Sequence, residues 1–288
     1  MKPVRSISSI VLFLVLAGSP AWPQQKINLG DNAALRYWSA FAEMQDSAIT
    51  DADATKLSAI LDGTVPYDDL QYKDLVEKNR RALEIMARGT TLQNCDWGLE
   101  YKMGPETPVE YSRKALVLGR LNVLYAFHLL ITGDKDKAVS VLAAGTRFSH
   151  DVANGGTLFA TLLAKSLLIA HLRAMVFALH LGGLSGAQRS VLQEAVAQLG
   201  PNGLDWHSAM KREFEIPPGL DSRASAALNK IIPAYLGVLS NSAGLGELQQ
   251  MIASAPAECS NIIPSPARVV AAKQELTDKL REVRSSLQ

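Results

Sequence analysis

Apolar side chains, chiefly Ala and Leu, recur at three- and four-residue steps along almost the whole chain. That spacing lines one face of an α-helix, while the alternating Val, Ile and Thr runs that mark strands are absent. Asp31 is placed to cap a first helix in which Ala34, Leu35, Trp38, Phe41 and Ala42 share a face. A second short helix is predicted from about Asp51 to Asp62, ended by Gly63, and a third from about Tyr67 to Arg88, ended by Gly89. An irregular stretch follows through Cys95, Asp96, Trp97, Gly98, Gly104 and Pro105. Thr107, Pro108 and Glu110 then predict a new helix, because threonine caps, proline tolerates the first helical position and glutamate can return a bond.

That helix carries Leu116, Leu121, Leu124, Leu129 and Leu130, breaks at Gly133, and restarts at Asp134 with Ala138, Val141, Leu142 and Phe148 facing inward. The turn from Gly133 to Ala138 resembles the turn and second-helix start of tetratricopeptide repeats, in which a small Ala lets two helices pack closely. The resemblance covers about one repeat. Thr157 to Leu181 is predicted as a central helix, interrupted by Lys165, His171, Arg173 and His180. Lys165 and Arg173 near its middle would be costly in hydrocarbon, so a helix buried in a bundle is expected rather than a membrane span. Gly182 and Gly183 then turn the chain into a helix opened by the Ser185 and Gln188 capping box and closed before Gly200 and Pro201. This second hairpin has Gln188 where the first has Ala138, so it is an imperfect copy. Further helices are expected from about Asp205 to Glu215, from Asp221 to Ser240 with a kink at Pro233, from Leu245 to Ser254, and after the Ser265 and Pro266 start. In the last, Val269, Leu276, Leu280, Val283 and Leu287 form one stripe, expected to dock on the protein's own core.

Before these elements lies a segment with the pattern of a secretory leader. Lys2 and Arg5 supply a positive start, Ile10 to Ala17 an apolar run, and Ser19, Pro20 and Ala21 a small-residue exit. The run is shorter than the ~20 residues a membrane span needs, so cleavage after Ala21 and an exported, periplasmic or extracellular product are expected. Removing residues 1–21 takes Lys2 and Arg5 and no acid from 29 basic and 28 acidic residues, leaving 27 against 28, a balance of −1. A nucleic-acid partner is not expected, because Lys78, Arg80 and Arg81 are interleaved with Asp74, Glu77 and Glu84 rather than clustered. In an oxidising compartment two cysteines, Cys95 and Cys259, permit one disulfide or stand as two buried thiols.

Catalytic patterns are sparse. The five histidines, His128, His150, His171, His180 and His207, offer no pair four apart for metal, and His171 and His180 fall on opposite helix faces. Ser208 and Lys211 have a Ser-x-x-Lys spacing without its companion motifs. Ser166 is an ordinary helix residue, and Asn154, Gly155 and Gly156 lack the lysine of a phosphate loop. The segment Ser242 to Gln249 resembles the Gly-Ala-x-Gly-Leu-Met-Gln stretch of lytic transglycosylases. That resemblance would make Glu213 or Glu215 the general acid, although neither is followed by the family's serine. Cys95 to Gly98, with Arg88 and Gly89 upstream and the hairpin downstream, resembles a group of uncharacterised exported bacterial proteins and implies no activity. Trp97 is expected as core packing.

The expected fold is therefore all-α: an array of antiparallel helical hairpins, tetratricopeptide-like or an irregular helical bundle. It should form a single domain over residues 22–288, with lobes 31–150 and 157–288 as a finer division. No cofactor is expected. The expected role is a non-catalytic envelope binding or scaffold protein that takes a peptide or protein in a groove between hairpins, with an envelope hydrolase using Glu213 or Glu215 as the alternative.

Overall fold

The computed structural model describes residues 29–45, 50–101, 107–181, 183–214 and 221–288. Among these residues there are twelve α-helices and no strand: α1 (Ala33–Glu43), α2 (Asp51–Leu61), α3 (Asp69–Gly89), α4 (Ser112–Thr132), α5 (Lys135–Val152), α6 (Leu158–His180), α7 (Gly186–Ala197), α8 (Trp206–Glu213), α9 (Ser222–Asn241), α10 (Leu245–Ala253), α11 (Ala257–Ile262) and α12 (Pro266–Leu287). Residues 31–288 form one compact unit. The leader pattern and the cleavage point after Ala21 lie outside the described residues.

The turns follow local chemistry. Gly133 ends α4 in the left-handed region at φ 89°, and the Asp134 side chain accepts from Lys137 N to open α5. Thr157 caps α6 through Ala160 N, and Ser185 with Gln188 forms a reciprocal box at α7. These caps stack hairpin on hairpin: α4 lies beside α6 and α5 beside α7, while α1 and α3 pack on one side and α12 covers α6 and α7.

Small residues set the spacing at the centre. Ala138 is fully buried. A Cβ on Gly119 of α4 would lie 2.6 Å from the Leu167 side chain of α6. A Cβ on Gly145 of α5 would overlap both Asn122 of α4 and His171 of α6. At Gly145 the Asn122 and His171 side chains therefore fill the space that a Cβ would need.

Both α4 and α6 are long and apolar enough to cross a membrane, yet 67% and 50% of their most apolar stretches are buried inside the protein. Lys165 of α6 pairs with Glu275 of α12, and Arg173 pairs with Asp62 at 2.9 Å. The interrupting charges thus face α12 and the end of α2. The stripe on α12 is buried at all five positions.

Several boundaries differ from the sequence expectation. Asn32 rather than Asp31 caps α1, because its carboxamide accepts from Ala34 N while also bonding Asp96 backbone atoms. The buried face of α1 is Ala33, Ala34, Tyr37, Ala40 and Phe41, leaving Leu35 and Trp38 partly in solvent. Helix α3 starts at Asp69, capped by Asp68, rather than at Tyr67, and it closes at Gly89, where a Cβ would strike the Tyr37 ring. The start expected at Thr107 falls at Ser112, with no side-chain cap, because the Thr107 hydroxyl instead donates to Glu100 O at 3.3 Å. Helix α9 spans Ser222–Asn241 with Pro233 inside it, as expected, whereas the short α11 was hidden by Pro256 and a polar sequence.

Gly145→Ala is expected to lower unfolding stability by about 2–3 kcal/mol, since its neighbours are fixed polar side chains. Gly119→Ala should cost less than about 1 kcal/mol, because the flexible tip of Leu167 can turn away and alanine favours the helix. Urea denaturation of both variants followed by circular dichroism checks the ordering.

Candidate functional site

Two polar clusters occupy the interior, and their geometry decides what they can do. In the first, Asp151 near the end of α5 is fully buried. Its Oδ2 accepts from the Tyr37 hydroxyl at 2.6 Å, and its Oδ1 lies 3.0 Å from Arg147 Nε without an aligned hydrogen bond. The Asp151 carbonyl accepts from Trp97 Nε1 at 2.8 Å and from Cys95 Sγ at 3.7 Å. Trp97 stacks on Tyr111 with ring centres 3.8 Å apart, and the Tyr111 hydroxyl donates to Val152 O. One carboxylate and its backbone thus hold α1, the loop around Trp97 and the start of α4 onto α5.

In the second cluster, His171 of α6 is fully buried, with Nδ1 2.8 Å from Leu167 O and 3.1 Å from Ser149 Oγ, and Nε2 3.0 Å from Asn122 Oδ1. A carbonyl only accepts, so Nδ1 carries the proton, and a carboxamide turned to present Nδ2 satisfies the neutral ring. Burial pushes the His171 pKa down to about 4. Serine, histidine and asparagine side by side have the residue types of a nucleophile, base and orienter. However, Ser149 donates to Gly145 O at 2.7 Å, and no member is more than 1% exposed. A substrate has no route to them, so this cluster is a structural lock between α4, α5 and α6.

The residues singled out from sequence are dispersed. Of the two readings for the cysteines, the structure has the separate thiols: Cys95 sits against Asp151, and Cys259 donates to Ala224 O at 3.5 Å on the α9 side. Burial, then the Asp151 charge, pushes the Cys95 thiol well above its usual range, which leaves it a poor nucleophile. Trp97 is 5% exposed and belongs to the core. Glu213 is partly buried, its Oε2 accepting from Leu158 N at the start of α6 at 3.3 Å; burial raises its pKa. It is absent from the linings of the three cavities described below. Glu215 lies outside the described residues. His128 pairs with Asp69 at 2.8 Å across α4 and α3. Among the described residues no three His, Cys, Asp or Glu side chains gather to hold a metal.

A different feature offers itself to a ligand. The face of α4 and α6 turned away from α5 forms a groove, and α2 lies along it. A cavity of about 150 Å³ remains between α2, α4 and α6, lined by Leu57, Leu61, Leu116, Ile169, Arg120 and Arg173. It shares Leu61 and Arg173 with a second, of about 340 Å³, that continues to Lys279 and Glu282 of α12. Asp62 at the end of α2 pairs with Arg173, and the field of Asp51 at its start acts on Arg120. Helix α2 itself buries only Leu57 and Ile60. A third cavity of about 330 Å³ lies between α9 and α10, beside Arg223, Lys230 and Met251.

Sequence reasoning missed Tyr37, Arg147 and Asp151, although Arg147 and Asp151 are spaced i, i+4 on α5. It also missed Arg120, a cation set in the apolar stretch of α4 that follows Arg113 and Lys114. A charge interrupting an otherwise apolar helix was the available signal, and it was weighed only for α6. No protein-family model, curated protein or solved structure matches the chain.

The His171 shift fixes a pH dependence. The unfolded chain takes up the proton near pH 6.5, whereas the folded protein resists until about pH 4. Stability from this residue is therefore complete above pH 6.5 and lost as the pH falls towards 4, by about 3 kcal/mol. Urea denaturation between pH 4 and 7 should show this loss in the native protein relative to His171→Gln. Parallel curves for the two would refute the assignment.

Proposed function

We propose that the protein is a non-catalytic binding protein acting outside the cytoplasm, and that its ligand seat is the α4 and α6 face on which α2 now lies. The ligand class is an amphipathic helix of a partner protein, with apolar residues three and four apart and an acid near each end. The observation that carries the reading is α2. It is a short helix with few buried side chains, placing Asp51 towards Arg120 and Asp62 on Arg173, with Leu57 and Ile60 turned inward. A groove that accepts this helix within the chain has the shape and charge to accept one from outside, in the helix-in-groove mode. The pairing of α4 with α6 and of α5 with α7 supports a tetratricopeptide-like array, in which such grooves serve as ligand surfaces. The leader pattern of residues 1–21 supports export. Glu213, one of the two acids on which a hydrolase reading would depend, has one carboxylate oxygen committed to the start of α6.

Leu57→Asp with Ile60→Asp should release α2 while leaving the core helices folded, as circular dichroism would report. A labelled peptide with the sequence of residues 50–63 is expected to bind this opened protein with a Kd on the order of 1–100 μM. Binding should weaken about tenfold in an opened protein that also carries Arg173→Ala, and by about tenfold or more in the native chain, where tethered α2 competes at ~mM effective concentration. Fluorescence anisotropy reads all three. An opened, folded protein that ignores the peptide would sink the proposal.

A further inference from the structure

Arg120 projects from α4 into the 150 Å³ cavity under α2, and it is half-buried there. Among the described residues it makes no ion pair, whereas the neighbouring Arg173 is satisfied by Asp62. Burial holds the Arg120 pKa below the usual guanidinium range, and the charge of Asp51 only partly offsets this. A guanidinium cannot shed its proton near neutral pH, so a full charge stands at an apolar cavity, with Asp51 acting on it but no ion pair formed.

We propose that this cavity binds a small aliphatic monocarboxylate, with its carboxylate on Arg120 and its tail against Leu57, Leu116 and Ile169. Three properties of the site select that chemistry. A planar guanidinium offers paired donors to a carboxylate. The cavity volume of about 150 Å³ equals roughly five shares of liquid water at ~30 Å³ each, room for a chain of a few carbons. The remaining lining is aliphatic apart from Arg173, whose charge Asp62 already balances, and the Ser58 and Ser166 hydroxyls. Ser166 already donates to Leu162 O, which leaves Ser58 of α2 as the second donor.

A carboxylate bridging Arg120 on α4 and Ser58 on α2 would hold α2 in the groove, so the small acid would oppose binding of a partner helix. This regulatory step rests on the groove being the seat proposed above. Butyrate is read without the peptide, so the two ideas fail separately.

The test compares butyrate, its neutral isostere butyramide, and sodium chloride at equal ionic strength, on the full chain by thermal unfolding and titration calorimetry. Butyrate at 50 mM is expected to raise the Tm by a few degrees and to give a saturable heat, and butyramide and chloride to do neither. Arg120→Met, which replaces the unpaired charge with a side chain of similar length, should fold and lose the response. Arg120→Lys should keep a weaker one. An equal shift with butyramide, a response surviving in folded Arg120→Met, or no response to butyrate in the native chain would each overturn the proposal.

Discussion

The approach of α4, α5 and α6 at Gly145 is the constraint from which the rest of the architecture follows. Asn122, Ser149 and His171 converge there around a residue with no side chain, and any Cβ would force them apart. Desolvating three polar groups is tolerable only because each finds a partner. Apolar side chains could slide past one another between such helices, whereas paired donors and acceptors fix one register. The hairpin arrangement is thus specified by a few directional bonds set into a leucine-rich core.

The N-terminal helix is held by a second device of the same kind. Helix α1 offers mostly small side chains on its buried face, so its apolar area is modest. Tyr37 adds a hydroxyl bond to a fully buried carboxylate, and Asn32 adds bonds to the backbone at Asp96. Arg147 balances the charge of Asp151 from the protein edge, where it is 31% exposed. Trp97 closes the assembly by stacking on Tyr111 while donating to the Asp151 carbonyl. Both polar clusters therefore join helices, and Tyr37, Asp151 and His171 in them are fully buried.

How much of this could be read from sequence depends on the distance over which each signal acts. Local signals carried well: Gly133, Asp134, Thr157 and the Ser185 box each mark an element end through bonds within four residues. The face of α1 was misread because Leu35 and Trp38 outrank Ala33 and Tyr37 in hydrophobicity, while burial there follows from Tyr37 reaching a carboxylate 114 residues away. Gly89 marked the end of α3 correctly, but its second role, accommodating the Tyr37 ring, depends on another helix. Cys95 and Cys259 could not be resolved into thiols or a bond, since their separation is a property of the fold. The groove was invisible for the same reason: α2 reads as an ordinary short helix until it is seen lying over Arg120 and Arg173.

Placing function on that groove rests on contrast with the interior. Interior polar atoms are, with few exceptions, satisfied by partners, whereas α2 meets its neighbours through buried Leu57 and Ile60, partly buried Leu61, Lys56 on Gln71 and Tyr72 of α3, the pair of Asp62 with Arg173 and a cavity. A surface pair such as Asp62 with Arg173 adds little to stability, and a cavity subtracts from it. An element attached this weakly opens at a lower free-energy cost than the helices beneath it. Low local stability over a rigid face bearing a half-buried, unpaired cation is what a ligand seat requires, because the ligand supplies the contacts that the resident helix leaves unmade.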